Sequence, residues 1–122
     1  MESRCYLPSD YPELVSWCVG RKIVAPAEWC LSSTGIIIPG KVVGFLYTTN
    51  SGVGYMDNFH TNVNASDRLE AFKAVTLELL ERAKILGVRG VVGSSTQESI
   101  THLCESLGFM RAQNCTMVGK EI

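Results

Sequence analysis

Residues 66–95 read SDRLEAFKAVTLELLERAKILGVRGVVGSS and contain the most regular pattern of the chain. Over residues 66–86, apolar residues recur three or four positions apart with charged residues between them, which is the period of an amphipathic helix. Residues 88–95 then predict a short buried strand. With the strand predicted over residues 53–61, this makes a strand, a helix and a strand in series. Such a unit closes as a right-handed crossover with its two strands parallel.

Three pairs of residues have the spacing of a capping box, in which a polar residue precedes a Glu by three positions. They are Asp10 with Glu13, Asp67 with Glu70, and Ser95 with Glu98. Glycines that can end the corresponding helices follow at Gly20, Gly87 and Gly108. The chain is therefore expected to contain three helices. The last of them carries Ile100, Leu103, Cys104 and Leu107 on one apolar face.

The other segments predict strands. Residues 34–38 and 42–49 flank the turn sequence Pro39-Gly40, and a second turn at residues 50–52 leads into residues 53–61. These three strands are expected to form an antiparallel meander, and residues 111–118 could add a last strand. The predicted fold class is α/β (α+β). It is one domain over residues 1–122 with a mixed central sheet, in which strands 53–61 and 88–95 run parallel and splay apart.

Composition limits the partners. The chain has 11 basic and 12 acidic residues, a formal net charge of −1, and no basic cluster, which argues against nucleic acid or an anionic membrane as the main partner. Five cysteines without a CxxC pair indicate free thiols, and neither they nor the two histidines have metal-ligand spacing. No signal peptide or membrane span is visible, which predicts a cytoplasmic protein. A mean hydropathy of +0.13 predicts a homodimer.

The segment Cys104-Glu-Ser-Leu-Gly-Phe109, together with the order of the elements, resembles the GNAT (Gcn5-related N-acetyltransferase) superfamily. Members of that family often end their last helix in a pattern like Tyr-Glu-x-Leu-Gly-Phe. The likeness covers the chain from about Asp10 to Val118. Within the family, the chain is similar to the small divergent members encoded by tailed bacteriophages. The likeness implies acetyl-CoA as acyl donor, bound where the third meander strand meets the long helix. If the protein is viral, its location would be the host cytoplasm.

The chain departs from the family at the pyrophosphate loop, which in the family is rich in glycine. Residues 61–67 contain no glycine, so anion binding would depend on free N–H groups and the positive dipole end at the helix start. The negative charge of Asp67 opposes this, and Arg68 is expected to be the only cation nearby. The predicted cofactor-binding residues are Phe59, His60, Thr61, Asn64, Ser66, Arg68, Leu69 and Ser99.

The predicted catalytic residues are Asp57, His60 and Cys104. An imidazole near its ordinary pKa or a carboxylate can take the proton of an amine. Simple strand alternation would place Asp57 and His60 on opposite faces. Cys104 stands where many members of the family carry a tyrosine that protonates the departing thiolate. For each of the three, a local hydrogen bond or a packing role is the alternative. Trp17 and Trp29 could likewise line an acceptor groove or pack.

Two functions remain open from the sequence. The first is an acetyl-CoA-dependent N-acyltransferase acting on an amine of a protein or small molecule. The second is a non-catalytic module with the same fold that binds a host or self protein and has weakened or lost CoA binding. The missing glycines and Cys104 favour the second function. The order of the elements favours neither, and the acceptor stays unidentified.

Overall fold

A computed structural model describes residues 1–95 and 97–111. Its helices are α1 (Tyr11–Gly20), α2 (Arg68–Ile85) and α3 (Glu98–Ser106), with single 3-10 turns at Pro8–Asp10 and Glu28–Cys30. Its strands are β1 (Arg4–Cys5), β2 (Thr34–Ile38), β3 (Val42–Thr48), β4 (Val53–Thr61) and β5 (Gly90–Val92). The short β1 was not predicted. The predicted strand over residues 111–118 lies outside the described residues except for Arg111.

The five strands form one sheet in the order β1-β2-β3-β4-β5. Each pairing is antiparallel except the last, in which β4 and β5 are parallel. The predicted meander and the parallel crossover through α2 are therefore confirmed. None of the described helices is both long and apolar enough to cross a bilayer.

Helices cover both faces of the sheet, which explains why the run Ile36, Ile37 and Ile38 is buried without alternation. Ile36 and Ile38 belong to the cluster beneath α2 and α3, whose other buried members are Val42, Leu46, Met56, Ala71, Phe72, Val75, Leu79 and Ala83. Ile37 packs with α1 on the opposite face, in a cluster with Leu14, Trp17, Cys18, Val43 and Phe45. Trp17 therefore has the packing role that was its alternative.

The predicted capping boxes are wrong in all three helices. Asp10 precedes α1, but its carboxylate accepts two hydrogen bonds from Arg4, at 2.7 and 2.8 Å, and one from the N–H of Leu7 at 2.8 Å. Asp67 has a left-handed φ of 55° and makes no side-chain cap bond. Gln97, rather than Ser95, precedes α3. Asp10 is thus occupied by other partners, the left-handed backbone of Asp67 is unsuitable for a cap bond, and Ser95 does not directly precede its helix.

The predicted C-terminal glycines of the last two helices are confirmed. Gly87 and Gly108 have φ angles of 77° and 97° and follow α2 and α3 by two residues. This is the left-handed region that glycine enters without steric cost. Gly20, in contrast, is the last residue of α1, and the left-handed residue after that helix is Lys22 with φ 58°.

Gly44 of β3 makes room for the aromatic ring of Phe59 on β4. A Cβ placed on Gly44 would lie 2.4 Å from a carbon of that ring, well inside van der Waals contact. The ring in turn contacts Phe72 of α2, with centroids 4.6 Å apart. Gly44 is thus needed for the packing between β3, β4 and α2.

We expect Gly44→Ala to lower the free energy of unfolding by about 1 to 3 kcal/mol, because the Phe59 ring must leave its position. Gly90→Ala is the control, since nothing lies within 4 Å of its added Cβ. Urea denaturation of both variants measures the difference. Equal stability of Gly44→Ala and Gly90→Ala would contradict the steric account.

Candidate functional site

The open edge of β4 is the first feature of the site. Only its first three residues, Val53, Gly54 and Tyr55, pair with β5. From Met56 to the end of β4, no described strand lies against that edge. The parallel pairing of the two strands is confirmed, whereas their splaying stays a prediction, because β5 ends at Val92 and Gly93 still lies close to the Met56 carbonyl. Backbone N–H and C=O groups along this edge can hydrogen-bond an extended ligand, as in strand addition.

A bulge in β4 is the second feature. Phe45 pairs with Asp57, but Val43 pairs with His60, so Gly44 faces two residues of β4 instead of one. The extra residue is Asn58, whose φ of 54° is left-handed. Asparagine tolerates this conformation better than most residues because its short polar side chain can bond locally. Here its Nδ2 donates a 2.7 Å hydrogen bond to the Tyr47 hydroxyl.

The bulge also corrects the predicted orientation of the catalytic candidates. Directly opposed residues of an antiparallel pair share a face. Asp57 therefore lies on the face of Phe45, and His60 lies on the face of Val43, and both of these partners belong to the cluster under α1. The extra residue cancels the alternation that would have separated them. Asp57 and His60 thus share one face, contrary to the sequence-based expectation.

His60 is held against the C-terminal half of α1. Its Nδ1 lies 3.4 Å from Sγ of the buried Cys18, and its buried Nε2 has no hydrogen-bond partner among the described residues. Burial lowers the pKa of His60 below its ordinary value, Asp57 opposes that shift, and Arg21 reinforces it. The ring is therefore neutral at pH 7.

Tyr47 adds a hydroxyl group to this face that the sequence analysis missed. Burial raises the pKa of Tyr47 and Asp57 adds to the rise, whereas hydrogen bonds from Asn58 and the Ser32 backbone oppose it. The group stays a neutral phenol near pH 7. No sequence motif marks Tyr47, because its importance comes only from the register that places it beside the bulge.

Cys104 lies on the other face of the sheet. It is half-buried on α3 and packs against the cluster beneath α2, which raises its thiol pKa. The structure therefore supports its packing role and does not bring it together with Asp57 and His60.

The segment between β4 and α2 (residues 62–67, the junction loop) is organised by an asparagine rather than by glycines. Asn62 donates its N–H to the carbonyl of Lys41 at 2.9 Å and its Nδ2 to that of Gly40 at 3.1 Å. Its Oδ1 accepts the N–H of Asn64 at 3.0 Å. These bonds attach the loop to the β2–β3 turn.

Two further cations adjoin this loop, so the expectation that Arg68 is alone there is wrong. The ammonium of Lys41 donates to the carbonyl of Ser66 at 3.3 Å. The guanidinium of Arg21 donates to the carbonyl of Thr61 at 3.0 Å and also contacts the Thr61 hydroxyl. Lys41 and Arg21 are distant in sequence from the loop, and only the fold brings them there.

The predicted cofactor-binding residues are distributed around the two ends of this loop. Phe59, His60 and Thr61 end β4, Asn64 and Ser66 lie in the loop, and Arg68 and Leu69 open α2. Of these, Phe59 packs inward on Phe72, whereas Leu69 is half exposed. Ser99 stands apart, in the first turn of α3 and exposed.

The open edge is not an enclosed cavity. A surface concavity of about 420 Å³ lies elsewhere, between residues 1–4, Ile38, Pro39 and Lys41. A ligand at β4 would thus be held by backbone pairing and by the loop rather than by a deep pocket.

No family model and no curated protein matches the sequence, but several solved structures share the fold. An acetyltransferase from Trypanosoma brucei has a TM-score of 0.71 at 18% identity, over 98% of this chain and 99% of its own. Glucosamine-6-phosphate N-acetyltransferase from Arabidopsis thaliana has 0.67 at 12%, over 98% and 97%. N-acetylglutamate synthase from Neisseria gonorrhoeae, complexed with coenzyme A and L-arginine, has 0.65 at 12%, over 83% and 26%. At these identities the likeness shows the GNAT-like mixed α/β fold alone.

The buried neutral ring of His60 predicts a pH dependence of stability. The unfolded chain takes up a proton near pH 6.5, whereas the folded chain, with its lowered pKa, takes it up only at lower pH. The contribution of neutral His60 to the free energy of unfolding is therefore fully present above about pH 6.5, and it is lost as the pH falls below that value. In urea denaturation, the parent should lose more stability than His60→Gln between about pH 7 and about pH 5.

The exposed His102 offers the control, and His102→Gln should follow the parent. The acidic side chain with a lowered pKa in the same half of the chain, Asp10, has an ordinary value of 3.8 and titrates below this range. Parallel pH curves for the parent and His60→Gln would contradict the prediction.

Proposed function

We propose that this chain is an acetyl-CoA-dependent N-acyltransferase that transfers an acetyl group to an amine of a protein or small molecule. The observation that carries the proposal is the left-handed bulge at Asn58 beside the open edge of β4. It combines Asp57, His60 and Tyr47 on one face with backbone groups that no described strand pairs. The names of the structural neighbours, acetyltransferases among them, support the same class of reaction.

The open edge suits the pantetheine arm of CoA, whose amides can pair with backbone groups as an added strand does. The junction loop suits its phosphates, because the first N–H groups of α2 are free of intrahelical partners and the helix dipole favours an anion. Lys41 and Arg68 supply positive charge at that end. These groups replace what glycines would contribute, and they offset the charge of Asp67.

The chemistry requires a neutral amine, attack on the thioester carbonyl, and a proton for the departing thiolate. The C–N bond forms as the C–S bond breaks, and the amine proton is transferred to the protein or solvent. Asp57 is the exposed carboxylate at the bulge and is assigned to receive that proton, directly or through water. Cys104 is a protonated thiol and stands in the sequence where the family has its tyrosine, so it is the candidate donor of that last proton. Its packing argues instead for a structural role.

The acceptor class is an amine. The name of one structural neighbour states an amino sugar phosphate as acceptor, that of another states the alanine of ribosomal protein S18, and a third is named as an N-acetylglutamate synthase. For this chain we propose a primary amine without assigning its carrier. The homodimer, the cytoplasmic location and the kinship with bacteriophage proteins stay predictions from the sequence.

One set of observations favours the alternative, a non-catalytic interaction module. Val24 and Trp29, on the connection between α1 and β2, are 94% and 87% exposed. Exposed apolar side chains that form a contiguous patch are common where a protein partner binds. Asp67 also places a carboxylate at the start of α2, where a phosphate would lie.

Acetyl-CoA titrated calorimetrically into the protein tests the proposal. We expect binding by the parent, and Arg68→Ala and Lys41→Gln should each weaken it by about 1 to 3 kcal/mol, the scale of a hydrogen bond to a charged group. Ser66→Phe should obstruct the ligand at the same loop. Lys84→Gln is the matched control, because Lys84 pairs with Glu81 at the other end of α2.

No binding by the parent at millimolar acetyl-CoA would favour the interaction module over the enzyme. If Arg68→Ala, Lys41→Gln and Ser66→Phe all bind acetyl-CoA as the parent does, the phosphate site lies away from residues 62–68. The CoA proposal itself would then remain intact.

The catalytic assignment predicts a separate effect for Asp57→Asn. This variant should transfer acetyl groups at least about tenfold more slowly, because it removes a proton acceptor, and should bind acetyl-CoA as the parent does. Thiol release from acetyl-CoA in the presence of a panel of primary amines measures the rate. An unchanged rate with any amine that the parent acetylates would remove Asp57 from the chemistry.

A further inference from the structure

A thiol and an imidazole meet beneath the bulge. Cys18 of α1 is fully buried, and its Sγ lies 3.4 Å from Nδ1 of His60 on β4. The other ring nitrogen, Nε2, is also buried and has no partner among the described residues. Such an orphaned polar atom calls for a reason, since buried polar groups are nearly always hydrogen-bonded.

Three arrangements of protons could explain the Cys18–His60 contact. A thiolate with an imidazolium is disfavoured, because burial raises the pKa of Cys18 and lowers that of His60. An Nδ1–H donating to sulfur uses a weak acceptor and leaves the S–H without a described partner. A thiol S–H donating to the lone pair of Nδ1 satisfies both groups, because an sp² ring nitrogen is a good acceptor.

We infer that Cys18 is a positioning residue that holds His60 as the neutral tautomer protonated at Nε2, so that His60 acts in the site as a hydrogen-bond donor and not as a general base. The tautomer follows from the contact, because the bond made by one ring nitrogen decides which nitrogen carries the proton. The buried Nε2–H then points to an acceptor that arrives with the ligand or with water.

The charged groups around the ring agree with a neutral donor. Asp57 on the same face favours a charged ring, Arg21 from the end of α1 opposes it, and burial outweighs both. The general base of the proposed reaction is then Asp57 alone. His60 would instead stabilise an oxygen that gains negative charge, which a preorganised N–H in a dry site does well. This second part of the inference rests on the proposed function.

Nitrogen-15 NMR of the histidine ring tests the tautomer without any ligand. In the parent at pH 7, the His60 ring should show a protonated Nε2 and an unprotonated Nδ1. Cys18→Ala should remove that preference, and Cys18→Ser, which keeps an O–H donor, should restore it. Cys5→Ala is the control, because Cys5 is an exposed thiol on β1.

A parent ring protonated at Nδ1 would overturn the inference. So would a Cys18→Ala variant that keeps the parent's tautomer, because Cys18 would then play no positioning part. Since neither result involves acetyl-CoA, failure here is distinct from failure of the proposed function.

Acetyl transfer to a primary amine tests the donor role. The amide N–H group of Gln can stand near the position of Nε2–H, whereas Ala offers nothing. His60→Ala should lower the rate by about a hundredfold, the scale of losing one donor to a developing negative charge, and His60→Gln should lower it much less. Equal losses in both variants would overturn the donor role.

Discussion

One extra residue in β4 determines how the site is built. Asn58 opposes Gly44 together with Phe59, and the left-handed backbone there ends regular pairing with β3 for one step. The bulge turns Phe59 toward α2 and places Asp57 and His60 together on the α1 face. Gly44 permits this because any side chain would occupy the space of the Phe59 ring. Both the packing of β4 and its proposed chemistry therefore depend on Gly44, which leaves space for the Phe59 ring, and on Asn58, which tolerates the left-handed backbone.

Burial sets the charge state of the groups around the bulge. Tyr47 and Cys18 have raised pKa values and His60 a lowered one, so all three are neutral near pH 7. Asp57 remains the exposed carboxylate on this face. A neutral set of donors beside one anion suits the binding of a cationic amine and its conversion to a nucleophile. This division of roles arises from desolvation, which penalises every charged form in the same way.

In the proposed site, the junction loop would bind an anion without glycine. Asn62 bonds the loop to the β2–β3 turn, and Lys41 of that turn donates a hydrogen bond to the Ser66 carbonyl. A glycine-rich loop binds phosphate mainly through N–H groups that approach closely, whereas this loop would depend more on charge. Affinity for CoA would accordingly be more sensitive to salt than in a glycine-rich site.

The sequence alone determined the order of the elements from α1 to α3, the meander, the parallel crossover through α2, and the C-terminal glycines Gly87 and Gly108, because hydrophobic period and turn chemistry are local. It also predicted the candidate site at the end of β4. Only the tertiary structure decided that Asp57 and His60 share a face, that Cys18 lies against His60, and that Lys41 and Arg21 reach the loop. Those relations depend on the register between strands and on residues far apart in the chain, and a single bulge reverses the orientations that alternation would predict for the residues of β4 beyond it.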